Sequence, residues 1–276
     1  MQKINYGLIV SDFDGTLVRE DGTISEYTKQ AITQYIARGG KFVISSGRMP
    51  SGILPRAKEL GLKGLLSCCQ GAIIIDIETG KVLQEEAIPW QTAVQIAKKM
   101  EELDLHIHIY DFWDFYCNKD DAALKMYENV VRSKAILMTE KPFSEFIADR
   151  KMKVFKFLNM VEPKDNATIF NALTEANFEA CEVTRSAAYL TEVVNKNYSK
   201  GTALEFIAKH FGIPLAKTVA IGDQLNDVSM IEKAGLGIAV NNADESLKAK
   251  ADEVFAYTNE EDAVGKIIEK YGYTEE

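Results

Sequence analysis

The sequence predicts an α/β protein: a doubly wound parallel sheet of the Rossmann-like kind, with an α+β domain inserted into it. Two observations lead there. Short continuous apolar runs at residues 8–10, 41–45 and 218–221 have the pattern of strands buried on both faces, and helical stretches separate them. Between about residues 85 and 195 the rhythm changes to period-two alternation, most plainly at 105–110 (LHIHIY), which predicts a sheet with one exposed face. The expected division is therefore a core made of residues 1–84 and 196–276, with residues 85–195 forming the inserted domain.

Each element of the core has a local signal. Residues 8–10 end abruptly in Ser11-Asp12-Phe13-Asp14-Gly15, a strand followed by a turn where glycine leaves room for a ligand. Asp21-Gly22 marks a second turn. Ser25 caps a helix whose apolar positions are Ala31, Ile32, Tyr35 and Ile36, and Gly39-Gly40 ends it. Strand 41–45 (KFVIS) carries Ser46-Gly47-Arg48 at its carboxyl end. A helix over 51–60, a strand at 65–67 and a hairpin through 73–77, turning at Glu78-Thr79-Gly80, complete the first part. The inserted domain reads as a helix (92–103), strands at 105–110 and 112–117 around a tight turn near Asp111, and a helix (122–132). A strand (153–158), a helix (165–176) and two strands (178–184 and 188–193) follow. The core pattern resumes at Ser199-Lys200-Gly201 with a helix over 202–211, which stops at Gly212. Strand 218–221 then ends in Gly222-Asp223-Gln224-Leu225-Asn226-Asp227. A strand at 237–240, a helix and a short strand near Val254 finish the chain.

Composition narrows the function. A net charge of -9 excludes a general nucleic-acid binder, which needs a basic surface, but it leaves room for a small anionic substrate. The first strand begins within a few residues of Met1, with no signal-peptide pattern. No apolar run reaches the roughly 20 residues that span a bilayer. The four cysteines, Cys68, Cys69, Cys117 and Cys181, have neither metal-site nor redox-motif spacing. A reduced, cytoplasmic protein is expected, with no nucleic-acid, membrane or obligate protein partner.

The chemistry is expected at the carboxyl ends of the strands, where open α/β sheets bind ligands. Asp12 can attack as a nucleophile, being ionised at neutral pH, and Asp14 lies close enough to move protons for it. A calcium loop starting at Asp12 would need glycine at its sixth position, where Leu17 stands. Ser46 can donate a hydroxyl hydrogen bond, and Lys200 supplies a compact positive charge. Asp12 and Asp223 offer the hard oxygen ligands that suit magnesium. Such a set of nucleophile, metal and cationic donors is what phosphoryl transfer demands. Taken singly, Asp223 and Asp227 would be a turn residue and a helix cap, and Ser46 a loop hydroxyl.

Four motifs in order, DFDGTL at 12–17, SGR at 46–48, SKG at 199–201 and GDQLND at 222–227, resemble those of the haloacid-dehalogenase-like phosphatases. The insertion between the second and third is similar to the α/β cap of the Cof-type subgroup, and the resemblance spans essentially the whole chain. It implies that Asp12 is the nucleophile, Asp14 the general acid and base, and Ser46 and Lys200 the phosphate-binding pair. It also implies magnesium held by Asp12, the backbone carbonyl of Asp14 and Asp223, with Asn226 or Asp227 in support. Gly47, Arg48 and Asn226 are candidate substrate contacts. The sequence departs from the subgroup at Gln70, where asparagine is frequent, and at Asn241-Asn242-Ala243, where Gly-Asn-Ala is frequent.

The expected function is magnesium-dependent hydrolysis of a small phosphorylated metabolite through an aspartyl-phosphate, a sugar phosphate being the class the resemblance favours. The alternatives are a phosphomutase or phosphotransferase, and a phosphatase for pyridoxal phosphate or flavin mononucleotide. A response-regulator receiver, a non-catalytic phospho-acceptor, has an acidic pocket but no such insertion. His106 and His108 share a strand face, but two ligands make no metal site, and an exposed face of the inserted domain is the expected place for them. His210 belongs near a helix C-terminus, where a positive charge is favourable. Arg185 reads as a surface charge, and Phe155 and Phe157 as sheet core.

Overall fold

The computed structural model describes residues 3–131, 133–187 and 189–274; the expected helix end at Arg132 and strand start at Ala188 lie outside them. The chain divides into two compact units, one of Met1–Gly47, Leu54–Gln84 and Tyr198–Glu276, the other of Arg48–Ile53 and Glu85–Asn197.

In chain order the first elements are β1 (Leu8–Ser11), α1 (Glu26–Ala37), β2 (Lys41–Ile44), α2 (Pro50–Glu59), β3 (Leu65–Cys68), β4 (Ile73–Asp76) and β5 (Val82–Glu85). The middle of the chain forms α3 (Trp90–Glu102), β6 (His106–Tyr110), β7 (Phe115–Cys117), α4 (Ala122–Val131) and β8 (Ile136–Leu137). It continues with α5 (Phe143–Arg150), β9 (Lys156–Met160), α6 (Pro163–Glu175), β10 (Cys181–Ala187) and β11 (Leu190–Asn195). The last part holds α7 (Lys200–His210), β12 (Thr218–Gly222), α8 (Val228–Ile231), β13 (Leu236–Ala239), α9 (Glu245–Lys248), β14 (Glu253–Val254) and α10 (Ala263–Tyr271).

In the first unit the sheet order is β14-β13-β12-β1-β2, and every one of these pairs is parallel. Leu8, Ile9 and Val10 of β1 have no exposed surface, as expected of an interior strand covered on both faces. Ser11 is in register with Ile44 on one side and Ile221 on the other. The carboxyl ends of β2, β1 and β12 therefore lie side by side, at the edge where this sheet type binds ligands. β3 touches β2 through the parallel bridge between Ser45 and Ser67, then pairs antiparallel with β4 and leads the chain out of the sheet. Ser25 caps α1 by accepting a hydrogen bond from the Thr28 amide at 3.0 Å.

The second unit is built on a sheet of order β10-β11-β9-β6-β7-β8, antiparallel except between β7 and β8. Ile107, Ile109, Phe157 and Val193 from one face pack with Ile96 and Met100 of α3 and with Phe143, Phe146 and Ile147 of α5. The alternation at 105–110 predicted one exposed face, and the structure corrects that: all five residues of β6 are buried. His106 and His108 are buried as well, at 7 % and 0 % exposure. The ring of His108 lies against Phe115 and Tyr127, with centroids 5.3 and 4.8 Å away. Histidine carries an apolar body, so polar alternation in the sequence did not mean alternating exposure.

Three further differences have local causes. The strand expected over 112–117 starts only at Phe115, because the Asp111 carboxylate accepts from the Trp113 and Asp114 amides and holds a turn there. The last two strands sit two to three residues later than expected, with Asn177 and Ala180 turning at positive φ. Helix α5 has no counterpart in the sequence reading. Its eight residues span too few turns to show a period, and Glu101 of α3 fixes its start by accepting from the Ser144 amide and hydroxyl. Arg185 is exposed on β10 and stacks over the Phe170 ring at 4.1 Å. Among the described residues, no helix is long and apolar enough to cross a membrane.

Candidate active site

β1 delivers Asp12 to the sheet edge, and the Asp12 amide still donates to the Ile221 carbonyl at 2.9 Å, extending the ladder by one residue. The chain then coils through Phe13-Asp14-Gly15-Thr16, with the Leu17 and Val18 amides both bonded to the Phe13 carbonyl. Asp12 is buried at 5 % exposure, whereas Asp14 is exposed. Two carboxylates two residues apart thus occupy opposite environments.

Lys200 enters from the first turn of α7. Ser199 caps that helix in a reciprocal box with Thr202, which fixes where the helix starts and aims the lysine. Its ammonium, fully buried, donates to Asp12 Oδ1 and to Asp227 Oδ1, both at 2.6 Å. Burial works against that charge, but the two carboxylates outweigh it and hold the ammonium above the usual lysine range. Asp227 is satisfied on its other oxygen too, since Oδ2 accepts from the Asp223 and Gln224 amides at 2.9 and 3.0 Å. It is a brace for Lys200 and for the 223–227 loop.

Asp223 faces the same space from the end of β12. Thr16 Oγ1 donates to its Oδ1 at 2.7 Å and Gln224 Nε2 to its Oδ2 at 3.2 Å. Ligand atoms of Asp12, Asp223 and Asp227 lie within 4.8 Å of one another, all buried. Burial, together with the neighbouring Asp227, pushes the carboxyls of both Asp12 and Asp223 above the usual range. Three buried carboxylates against one ammonium leave a surplus of negative charge. A hard divalent cation with oxygen ligands fits this donor set, with Asp12 and Asp223 as ligands.

Ser46 is buried at the end of β2, its amide bonded to the Ser67 carbonyl at 3.0 Å and its carbonyl accepting from the Gln70 amide at 3.1 Å. Gly47 lies against the Gln70 side chain, and a β-carbon there would meet Gln70 Nε2 at 2.6 Å. Gln70 Oε1 in turn accepts from Asn226 Nδ2 at 3.2 Å. Gln70 sits at φ 59, in the left-handed region where asparagine is enriched among non-glycine residues. Arg48 groups with the second unit and donates from Nη1 to the Val131 carbonyl at 3.4 Å.

The profile of the haloacid dehalogenase-like hydrolases matches residues 9–268. The chain belongs to this family. Phosphatase YwpJ of Bacillus subtilis is 29% identical, over 95% of this chain and 98% of that protein. The same organism's 5-amino-6-(5-phospho-D-ribitylamino)uracil phosphatase YcsE is 30% identical, over 97% and 96%. Among solved structures, a haloacid dehalogenase-like hydrolase of Bacteroides thetaiotaomicron superposes with a TM-score of 0.85 at 29% identity, over 96% of this chain and 99% of that one.

Sequence reasoning gave no role to three residues that hold this hydrolase's acidic loops in place. Thr16 anchors Asp223 as described, and its position inside the first motif was the available signal. Gln224 braces the same carboxylate. Asn242 donates to the Gly15 carbonyl at 2.8 Å and accepts from the Asn259 amide at 3.1 Å. The departure at 241–243 thus keeps the asparagine that holds the first loop, while Asn241 bonds through its amide to the Tyr257 carbonyl.

Proposed function

We propose that this phosphatase hydrolyses a small phosphorylated metabolite, in the first instance a sugar phosphate, with magnesium and through an aspartyl-phosphate on Asp12. The observation that carries the reading is the buried ammonium of Lys200 held between Asp12 and Asp227 at 2.6 Å. That ammonium engages Oδ1 of Asp12, keeps the carboxylate in one orientation and leaves Oδ2 as the attacking atom. Lys200 and the Ser46 hydroxyl are then the donors for the equatorial phosphoryl oxygens. Asp14, exposed where Asp12 is buried, protonates the leaving oxygen and afterwards takes a proton from the attacking water. Magnesium on Asp12, the Asp14 carbonyl and Asp223 would neutralise the phosphoryl charge. Asp227 holds Lys200 and the Asp223 backbone in place.

Substrate choice is assigned to the inserted domain, residues 85–195, as the cap of this family, with Gly47, Arg48 and Asn226 as further contacts. The activities for which YcsE and YitU are named, the latter a Bacillus subtilis relative 26% identical over 96% of this chain, concern a phosphorylated ribitylaminouracil. A ribityl phosphate is a polyol phosphate and presents the same kind of leaving alkoxide, so this second reading differs only in the group selected.

The deciding experiment is phosphate release, with magnesium, across sugar phosphates, ribityl phosphates, nucleotides, pyridoxal phosphate and flavin mononucleotide. Preference for a sugar or polyol phosphate without an added acceptor is expected. Turnover only when a second alcohol accepts the phosphoryl group would make the protein a transferase.

A further inference from the structure

We propose that His106, His108 and Cys117 form a second metal site, built for a borderline-soft divalent ion of the zinc class. The three residues lie within the second unit and are distinct from the aspartate cluster. β6 and β7 pair with His108 opposite Cys117, and His106 stands two residues before His108 on the same face of the strand. The three ligand atoms converge: His106 Nε2 is 3.0 Å from His108 Nε2 and 3.2 Å from Cys117 Sγ. All three side chains are buried, at 7 %, 0 % and 0 % exposure, and their ligand atoms lie within 4.8 Å of one another.

The spacing suits a tetrahedral ion. Zinc bonds to histidine and cysteine imply ligand separations of about 3.3 Å between nitrogens and about 3.6 Å from nitrogen to sulfur. The observed distances are a few tenths of an ångström shorter, so an ion would spread the three ligands slightly without moving the strands. Two imidazoles and one thiol are also the softer donor set that selects zinc over magnesium.

Proton placement favours an ion as well. His106 Nδ1 lies 3.0 Å from Asp121 Oδ2. A carboxylate only accepts, so Nδ1 carries the proton and Nε2 presents its lone pair to the cluster. A carboxylate behind a ligating histidine is the usual outer partner in zinc sites. Asp121 is itself fixed, because its Oδ1 accepts from the Leu124 amide at 2.9 Å at the start of α4. His108 Nδ1 has no hydrogen-bond partner, so no contact pins the proton to Nε2, and that nitrogen can also turn a lone pair inward. Without an ion, His108 Nε2 can donate to His106 Nε2 while the Cys117 thiol donates to the Lys119 carbonyl at 3.2 Å, so an ion would replace two weak contacts with ligand bonds. On binding, the thiol loses its proton to solvent and the sulfur becomes a thiolate ligand. The fourth position falls to water or to the Lys119 carbonyl oxygen, which lies 3.2 Å from Sγ. The ion would tie β6 to β7 at the start of α4.

The test uses the full-length protein, stripped by a chelator and returned to excess magnesium, then titrated with cobalt(II) as the spectroscopic probe. One equivalent should produce intense tetrahedral d–d bands with a thiolate-to-cobalt charge-transfer band, and zinc should abolish both. Cys117→Ser should lose the charge-transfer band. Asp121→Asn, at a half-exposed side chain that leaves the core intact, should keep the band and weaken cobalt binding by about 10–100-fold. Absence of a charge-transfer band in the wild type would overturn the site, as would its survival in Cys117→Ser. Should Cys117→Ser fail to fold, unchanged cobalt affinity in Asp121→Asn overturns it equally.

Discussion

Gly15 and Asp223 are fitted to each other: a β-carbon at residue 15 would lie 2.4 Å from Asp223 Oδ2. The backbone there also has φ +75, a conformation that costs an alanine about 1–2 kcal/mol. Gly15→Ala should therefore move the Asp223 carboxylate and weaken magnesium binding out of proportion to the loss of stability. Magnesium affinity, read beside urea unfolding, checks this. An unchanged affinity would mean that Asp223 is no ligand.

Lys200 bridges two buried carboxylates with a single positive charge. Lys200→Met should destabilise the protein by about 3–5 kcal/mol, because removing one partner strands uncompensated charge. A divalent cation supplies the missing charge, so magnesium should recover a larger share of stability in this variant than in the wild type. Chemical unfolding with and without magnesium measures both effects.

Thr16 acts on Asp223 through one charged hydrogen bond at 2.7 Å. Thr16→Val keeps the shape and removes the donor, so magnesium binding should weaken by about tenfold, the equivalent of about 1.5 kcal/mol for a bond to a charged group. Calorimetric titration with magnesium reads this directly.

The two opening aspartates separate by leaving group. A sugar alkoxide needs a proton to depart, whereas p-nitrophenolate does not. Asp14→Asn should slow single-turnover phosphorylation by a sugar phosphate roughly a hundredfold more than by p-nitrophenyl phosphate. Equal slowing, with fold and magnesium affinity intact, would remove Asp14 from the acid role.

The parts of this site that could be read in advance are those fixed by local chain logic. Asp12, Lys200, Asp223 and Asp227 each sit where an apolar strand ends or a capped helix begins, and the parallel order of β2, β1 and β12 brings such ends together. The hidden parts depend on pairing between distant segments. That Cys117 stands opposite His108 follows from the β6–β7 register, which no spacing in the sequence encodes, and the two histidines alone looked like an exposed strand face. Thr16, Gln224 and Asn242 act through hydrogen bonds between loops, where several small polar residues would have read alike. Helix α5 owes its position to Glu101, more than forty residues earlier in the chain.

The most direct test of the central claim is phosphate release by Asp12→Asn beside the wild type, with saturating magnesium, on p-nitrophenyl phosphate and the best substrate of the metabolite panel. The covalent step needs the Asp12 carboxylate, so the variant should fall to background on both substrates while retaining its fold. Appreciable turnover by a folded Asp12→Asn protein would contradict an aspartyl-phosphate route.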